Sequence, residues 1–255
     1  MKVAILAGGR GTRLAEETAL RPKPMVLIGE DPILWHIMKL YSFYGFSEFV
    51  IALGYLGDFI KDYFINYRMR TNDISVEVDS GKVTIHGKPD ERWKVHLLNT
   101  GVETNTGGRV RQLAKFIGNE TFLMTYGDGI GDINITKLIE CHQRNKRLVT
   151  VTAVHPPARF GSISCDGERV ATFAEKPQVT EGWINGGFFV IEPEVSSYIE
   201  DDGILWEGSP MENLVQRSEV SVYQHNGFWQ SMDTVRDVQL LNHLWNEGEA
   251  PWKIW

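Results

Sequence analysis

Val3-Ala4-Ile5-Leu6-Ala7-Gly8-Gly9-Arg10-Gly11-Thr12-Arg13 is the stretch on which the rest of the chain turns. Val3–Ala7 is short, apolar and partly β-branched, the pattern of a strand buried on both faces. Glycines follow at once, and they let several backbone N–H groups approach one anion. Arg10 and Arg13 add guanidinium groups, which bind phosphate oxygens in pairs. The spacing fits neither common glycine loop. The Gly-x4-Gly-Lys-Ser/Thr phosphate loop is absent, and Leu14 stands where the dinucleotide fingerprint needs its third glycine. The residues Gly8–Arg13 therefore read as a phosphate cradle of another kind. They also suit a plain strand–helix turn with solvated arginines.

Working outward, Asp31-Pro32 predicts a helix start with Asp31 as its cap, running to about Tyr44 and stopping at Gly45. A strand over Glu48–Leu53 and a helix over Gly57–Arg68 follow. This alternation predicts an α/β fold: a Rossmann-like, mostly parallel central sheet flanked by helices. Ser75–His86 alternates around Ser80-Gly81 and reads as a hairpin. Val95–Leu98 belongs with it in a small antiparallel β insertion, at about residues 70–110. Thr106–Ile117 returns to helix, with Thr106 as cap. Thr121–Tyr126 is a buried strand ending in Gly127-Asp128-Gly129. A helix over 134–145, a strand over Leu148–Val154, short strands near 162–164, 170–174 and 185–191, a helix over 211–217, a strand over 220–224 and a last helix over Thr234–Trp245 complete one α/β unit over residues 1–255. The tail Ala250–Trp255 is rich in tryptophan.

The 255 residues carry 33 acidic against 26 basic side chains, a net charge of −7. That argues against a nucleic-acid binder, which shows a basic face, but leaves room for a locally cationic cleft. Cys141 and Cys165 fit neither a metal-ligand spacing nor a disulfide framework, so two inert thiols in a reducing compartment are expected. No apolar run reaches membrane-spanning length. A soluble, cytoplasmic protein is the expectation.

Asp128 follows a buried strand, where ligands gather in open α/β sheets, and can bind Mg²⁺ there. Asp233 precedes the last helix and reads equally as an N-cap or a metal ligand. Asp132 reads as a turn or helix-start residue. Prolines on both sides of Lys23, in Arg21-Pro22-Lys23-Pro24-Met25, aim its side chain; a solvated loop lysine fits the same residues. Glu175-Lys176-Pro177 suits an ion pair at a strand end or, through the Glu175 carboxylate, an acceptor for hydroxyls. Asn185-Gly186-Gly187 suits sugar hydroxyls or a turn, and Trp229 a stacking platform or the core. The seven histidines show no ligand spacing, and His142 reads as structural.

Taken together, Val3–Leu14, Lys23-Pro24-Met25, Tyr126-Gly-Asp-Gly129, Glu175-Lys-Pro177, Asn185-Gly-Gly-Phe-Phe189 and Phe228-Trp-Gln-Ser-Met-Asp-Thr234 resemble the signature of the sugar-1-phosphate nucleotidyltransferases. Phe228–Thr234 and the insertion with Thr104-Asn-Thr-Gly-Gly-Arg109 resemble the branch that uses CTP and glucose 1-phosphate. Arg10 stands where that branch has an apolar residue, and Arg21 where it has a lysine. The resemblance implies transfer of a cytidylyl group to glucose 1-phosphate, releasing pyrophosphate, in surface-polysaccharide synthesis. It implies Mg²⁺ on Asp128 and Asp233, with Arg13, Lys23 and Asp128 catalytic. It implies a nucleotide site of Leu6, Ala7, Gly8, Gly9, Arg10, Gly11, Thr12, Arg13, Lys23, Thr104, Arg109 and Gly127. Tyr126, Glu175, Lys176 and Asn185 would hold the sugar phosphate. A homo-oligomer such as a hexamer is implied, with the insertion and the tail as contacts. A thymidylyl- or uridylyltransferase keeps the same fold, and a non-catalytic sugar-nucleotide-binding protein or a glycosyltransferase are the readings from other classes.

Overall fold

The computed structural model describes the chain except residues 15–17, 19, 89–90, 157–161, 167–168 and 175–181, and the side chains of 13, 162–166 and 170–174. Val3–Ala7 is strand β1, buried at every position. The helix Ile33–Phe43 (α1) leads to β2 at Glu48–Leu53, and Gly57–Ile65 (α2) and Tyr67–Thr71 (α3) follow. A hairpin of β3 (Asp73–Glu77) and β4 (Lys82–His86) precedes β5 at Lys94–Asn99. Thr106–Ile117 (α4), Phe122–Tyr126 (β6), Gly129–Gly131 (β7) and Ile135–Asn145 (α5) come next. The chain continues with β8 (Val149–Val154), a hairpin of β9 (Ser162–Asp166) and β10 (Arg169–Ala174), and β11 (Ile184–Ile191). Ser209–Gln216 (α6), Val220–His225 (β12), Trp229–Ser231 (β13) and Val235–Asn246 (α7) complete it.

The main sheet has seven strands in the order β12-β8-β11-β6-β1-β2-β5. Only β11 runs against its neighbours, β8 and β6. The α/β class with a mostly parallel sheet is thus the observed fold. β1 lies in the middle because it is apolar on both faces: Val3, Ile5 and Ala7 enter one core layer and Ala4 and Leu6 the other. Its C-terminal end and that of the parallel β6 lie side by side, with Leu6 opposite Tyr126. Both loops that follow, Gly8–Thr12 and Gly127-Asp128, open at that sheet edge.

Several local expectations are corrected. Lys94–Asn99 is not part of the antiparallel excursion. It pairs parallel with β2, from Glu48↔Lys94 to Leu53↔Asn99, because Val95 and Leu97 pack on the core. Asp31 does not cap α1: Asp31–Pro32 forms a two-residue ladder with Leu27–Ile28, and Pro32 holds the cap position in extended backbone. The helix expected over Gly57–Arg68 breaks at Asn66, whose Nδ2 donates to the Asp62 carbonyl at 2.9 Å and competes with the backbone ladder. Thr106 does not cap α4; Asn105 is at that position and the Thr106 hydroxyl is used elsewhere. The tail packs inward, with Trp252 fully buried between Phe228 and Trp245. Cys141 is buried and free, while the Cys165 side chain lies outside the described residues. No described helix is long and apolar enough to cross a membrane.

Candidate active site

A cleft of about 810 Å³ opens at the C-terminal ends of β1 and β6. Leu6 to Thr12, Lys23, Thr104, Arg109, Tyr126, Gly127, Asp128, Asn185 and Asp233 all line it. Every site residue read from the sequence whose side chain is described is therefore in one place. Arg13's side chain, Glu175 and Lys176 lie outside the described residues.

Lys23 is at the centre of the cleft floor. Pro22 and Pro24 flank it in a single tight turn, in which Met25 N–H bonds the Pro22 carbonyl at 2.8 Å. The turn aims the side chain inward, and the residue is only 8 % exposed, so the solvated-loop alternative is discarded. Its Nζ donates to Asp128 Oδ2 and to Asp233 Oδ1, both at 2.6 Å. Burial alone would push the amine down, but the Asp128 and Asp233 carboxylates outweigh it and raise it above the usual lysine value.

Asp128 and Asp233 are brought together by a small ladder. β13 pairs antiparallel with β7, Trp229 opposite Gly131 and Ser231 opposite Gly129, and Met232 N–H bonds the Asp128 carbonyl at 2.8 Å. Asp233 follows directly. It does not cap α7, because Thr234 does: the Thr234 hydroxyl accepts from Asp237 N–H, and Asp237 accepts from Thr234 N–H at 2.8 Å. That leaves the Asp233 carboxylate turned to Lys23 and to Ser231 Oγ at 3.0 Å. Two carboxylates converging on one cation suit Mg²⁺, which takes one or two carboxylates and fills its shell with phosphate oxygens and water. Among the described residues no larger cluster of acidic, His or Cys side chains forms a metal site.

Arg109 lies beneath the glycine loop. It is 4 % exposed, and its guanidinium donates to the Leu53 carbonyl at 3.0 Å, the Gly8 carbonyl at 3.2 Å and the Thr100 hydroxyl. A Cβ on Gly8 would fall 2.2 Å from Arg109 Nη1, so a side chain there would displace the guanidinium. Arg109 thus ties the start of the glycine loop, through the Gly8 carbonyl, to the ends of β2 and β5. Arg10 reaches across the mouth to Glu103. Thr104 Oγ1 bonds the Thr100 carbonyl at 2.6 Å. Trp229 packs in the core, with Nε1 on the Gly186 carbonyl at 2.8 Å. Asp132, away from the carboxylate pair, bonds His225 Nε2 at 2.9 Å.

At the far wall, Asn185 Nδ2 donates to the Tyr126 hydroxyl at 3.2 Å, and that hydroxyl donates to Glu207. Burial, then the Glu207 charge, pushes the phenol well above its usual range, so it stays a donor. Glu207 and Glu103 were missed in the sequence. Neither sits in a glycine loop or strand end, and Glu207 meets its partners only across the fold.

A nucleotidyl transferase family model matches residues 2–237. The chain belongs to the nucleotidyl transferase family. It is 46 % identical to the glucose-1-phosphate cytidylyltransferase of Salmonella typhi over 256 residues, covering all of both chains. It is 27 % identical to the UTP–glucose-1-phosphate uridylyltransferase of Synechocystis over 209 residues, 78 % of this chain and 51 % of that one. Among solved structures, the UDP-glucose pyrophosphorylase of Acinetobacter baumannii superposes with a TM-score of 0.68 at 13 % identity, over 98 % of this chain and 95 % of that one, a likeness of fold.

Proposed function

We propose that the protein transfers a cytidylyl group from CTP to glucose 1-phosphate, yielding CDP-glucose and pyrophosphate, within surface-polysaccharide or deoxysugar synthesis in the cytoplasm. The observation that carries it is the meeting of Lys23, Asp128 and Asp233 in a cleft of about 810 Å³ that the glycine loop also lines. The full-length 46 % identity supports the choice of base and sugar.

A phosphate oxygen of the sugar phosphate attacks the α-phosphorus in line, and the pyrophosphate leaves. Such transfers depend on positioning and charge neutralisation, with little covalent work for the protein. The loop amides of Gly8–Gly11 and Arg13 hold the leaving pyrophosphate. Lys23 neutralises charge that grows on the triphosphate, Thr104 and Arg109 support the nucleotide wall, and Lys176 holds the sugar phosphate. Asp128 and Asp233 hold Mg²⁺, which when bound supplies neutralisation of the α-phosphate.

We also propose a homo-oligomer. The β3–β4 hairpin pairs Ile74 with Ile85 and Val76 with Val83, and Ile74, Val76 and Val83 are exposed. A lone two-stranded hairpin is marginal in water, so a second copy covering that face accounts for it. Light scattering checks this; a monomer at micromolar concentration overturns it.

Pyrophosphate release across CTP, dTTP, UTP, ATP and GTP, each with several sugar 1-phosphates, tests the activity. CTP with glucose 1-phosphate gives the fastest turnover, and chelation of Mg²⁺ stops it. Faster turnover with another nucleotide overturns the choice of base. Tight binding of the sugar nucleotide without pyrophosphate release overturns catalysis.

A further inference from the structure

Glu207 faces the cleft but has no part in the chemistry above. It ends a loop that is stitched to the start of α4. Asn105 N–H bonds the Asp202 carbonyl at 2.8 Å, Gly107 N–H the Ile204 carbonyl at 3.0 Å, and Trp206 N–H the Thr106 hydroxyl at 2.9 Å. Trp206 is fully buried, edge-on to Phe189 with centroids 6.1 Å apart. A Cβ at Gly107 would come 2.6 Å from the Ile204 carbonyl oxygen, and one at Gly108 2.5 Å from Asp202 Cα. These two glycines therefore serve the docking of the Glu207 loop rather than approach to a phosphate.

The carboxylate is held at both oxygens. Tyr126 donates to Oε1, and Thr106 donates to Oε2 at 2.8 Å. With Asn185 on Tyr126, a continuous run of hydrogen bonds joins β11, β6 and α4 across the cleft. An ionised carboxylate only accepts, and its two oxygens offer about four lone-pair positions. Two are used, and the others are available to a ligand. A phosphate there would meet like charge, whereas a hydroxyl would donate. The cations Arg10, Lys23 and Arg109 are engaged elsewhere, with Glu103, the two aspartates, and the Thr100 hydroxyl with the Leu53 and Gly8 carbonyls.

We propose that Glu207 is a specificity residue of the sugar subsite, its carboxylate fixed by Tyr126 and Thr106 so that it accepts from hydroxyls of the sugar 1-phosphate. This rests on the sugar-1-phosphate reading of the cleft. Glu207 is exposed in the open cleft, so the discrimination comes when a bound sugar covers it: an analogue that lacks the hydroxyl leaves the covered acceptor unpaired.

Glu207→Gln removes the charge and keeps the shape. Exchanging a charged hydrogen bond for a neutral one raises KM for glucose 1-phosphate about tenfold. KM for CTP stays within about twofold, and the preference for glucose 1-phosphate over one of its monodeoxy analogues falls by about tenfold. Equal rises in both KM values with a lower Tm would reveal a merely structural strut, and unchanged selectivity also overturns the proposal. If Glu207→Gln does not fold, Tyr126→Phe is read the same way, with a smaller rise confined to the sugar phosphate. If the wild-type protein does not turn over CTP with glucose 1-phosphate, the substrate reading has failed. The comparison is then made on the pair it does use: a change on the sugar side supports Glu207 and one on the nucleotide side overturns it.

Discussion

Lys23 and His36 are both buried basic side chains, one on the cleft floor and one in the tryptophan cage made by the tail. Lys23 meets two carboxylates at 2.6 Å and is held charged. His36 is fully buried, with Trp245 edge-on at 4.5 Å and Trp35 at 5.1 Å. Its Nε2–H donates to the Ile28 carbonyl at 2.9 Å, and its Nδ1 accepts from Trp252 Nε1 at 3.4 Å. The Ile28 contact suits either form of the ring, but accepting from Trp252 at Nδ1 requires the neutral one, and burial pushes the ring down to about 4, with the Lys253 charge adding to the effect. Burial is common to the two sites. The partners decide: acceptors retain a proton, whereas a carbonyl on one side and a donor on the other exclude a second one.

The largest way to break the comparison is to empty the cage. Trp252→Ala removes a fully buried indole and lowers unfolding free energy by about 3–5 kcal/mol, measured by urea melts. A loss under about 1 kcal/mol would show that the tail does not hold the cage.

Acid sharpens it next. Above pH 6.5 His36 is neutral in both folded and unfolded chains and contributes no pH dependence. Between pH 6.5 and 4 the unfolded chain takes up a proton that the folded one refuses, so stability falls by up to about 3 kcal/mol. Melts at pH 7 and pH 4.5 read this, and His36→Gln, which can still donate to Ile28, has a smaller difference between the two.

At the cleft, Lys23→Ala removes a charged hydrogen-bonding group and slows turnover by about ten- to hundredfold, equivalent to about 1.4–2.7 kcal/mol. A folded Lys23→Ala protein with near-normal turnover would overturn the assignment.

Much of the site was legible because its parts are local. Val3–Ala7 announces a buried strand, and the glycines after it announce a turn at the strand's end, which the fold places on the cleft. Thr234 and Asp237 form a capping box whose spacing is in the sequence, and it answers the question left open at Asp233. Glu207 was illegible, because it reads as a surface acid until the fold brings it to Thr106 and Tyr126. The bonds of Arg109 to the Leu53 and Gly8 carbonyls were equally illegible, because they join residues far apart in sequence.

By itself, then, the sequence determined the strand–helix alternation, the α/β class, the glycine loop after β1 and the stiff Pro-Lys-Pro turn. Each follows from short-range sterics and from which face of an element is apolar. Only the tertiary structure decided that Lys94–Asn99 joins the main sheet, that Lys23 bridges Asp128 and Asp233, and that His36 is kept neutral. Those outcomes depend on contacts between residues far apart in sequence. Side-chain charge responds to the neighbours a folded chain supplies, and no local pattern specifies them.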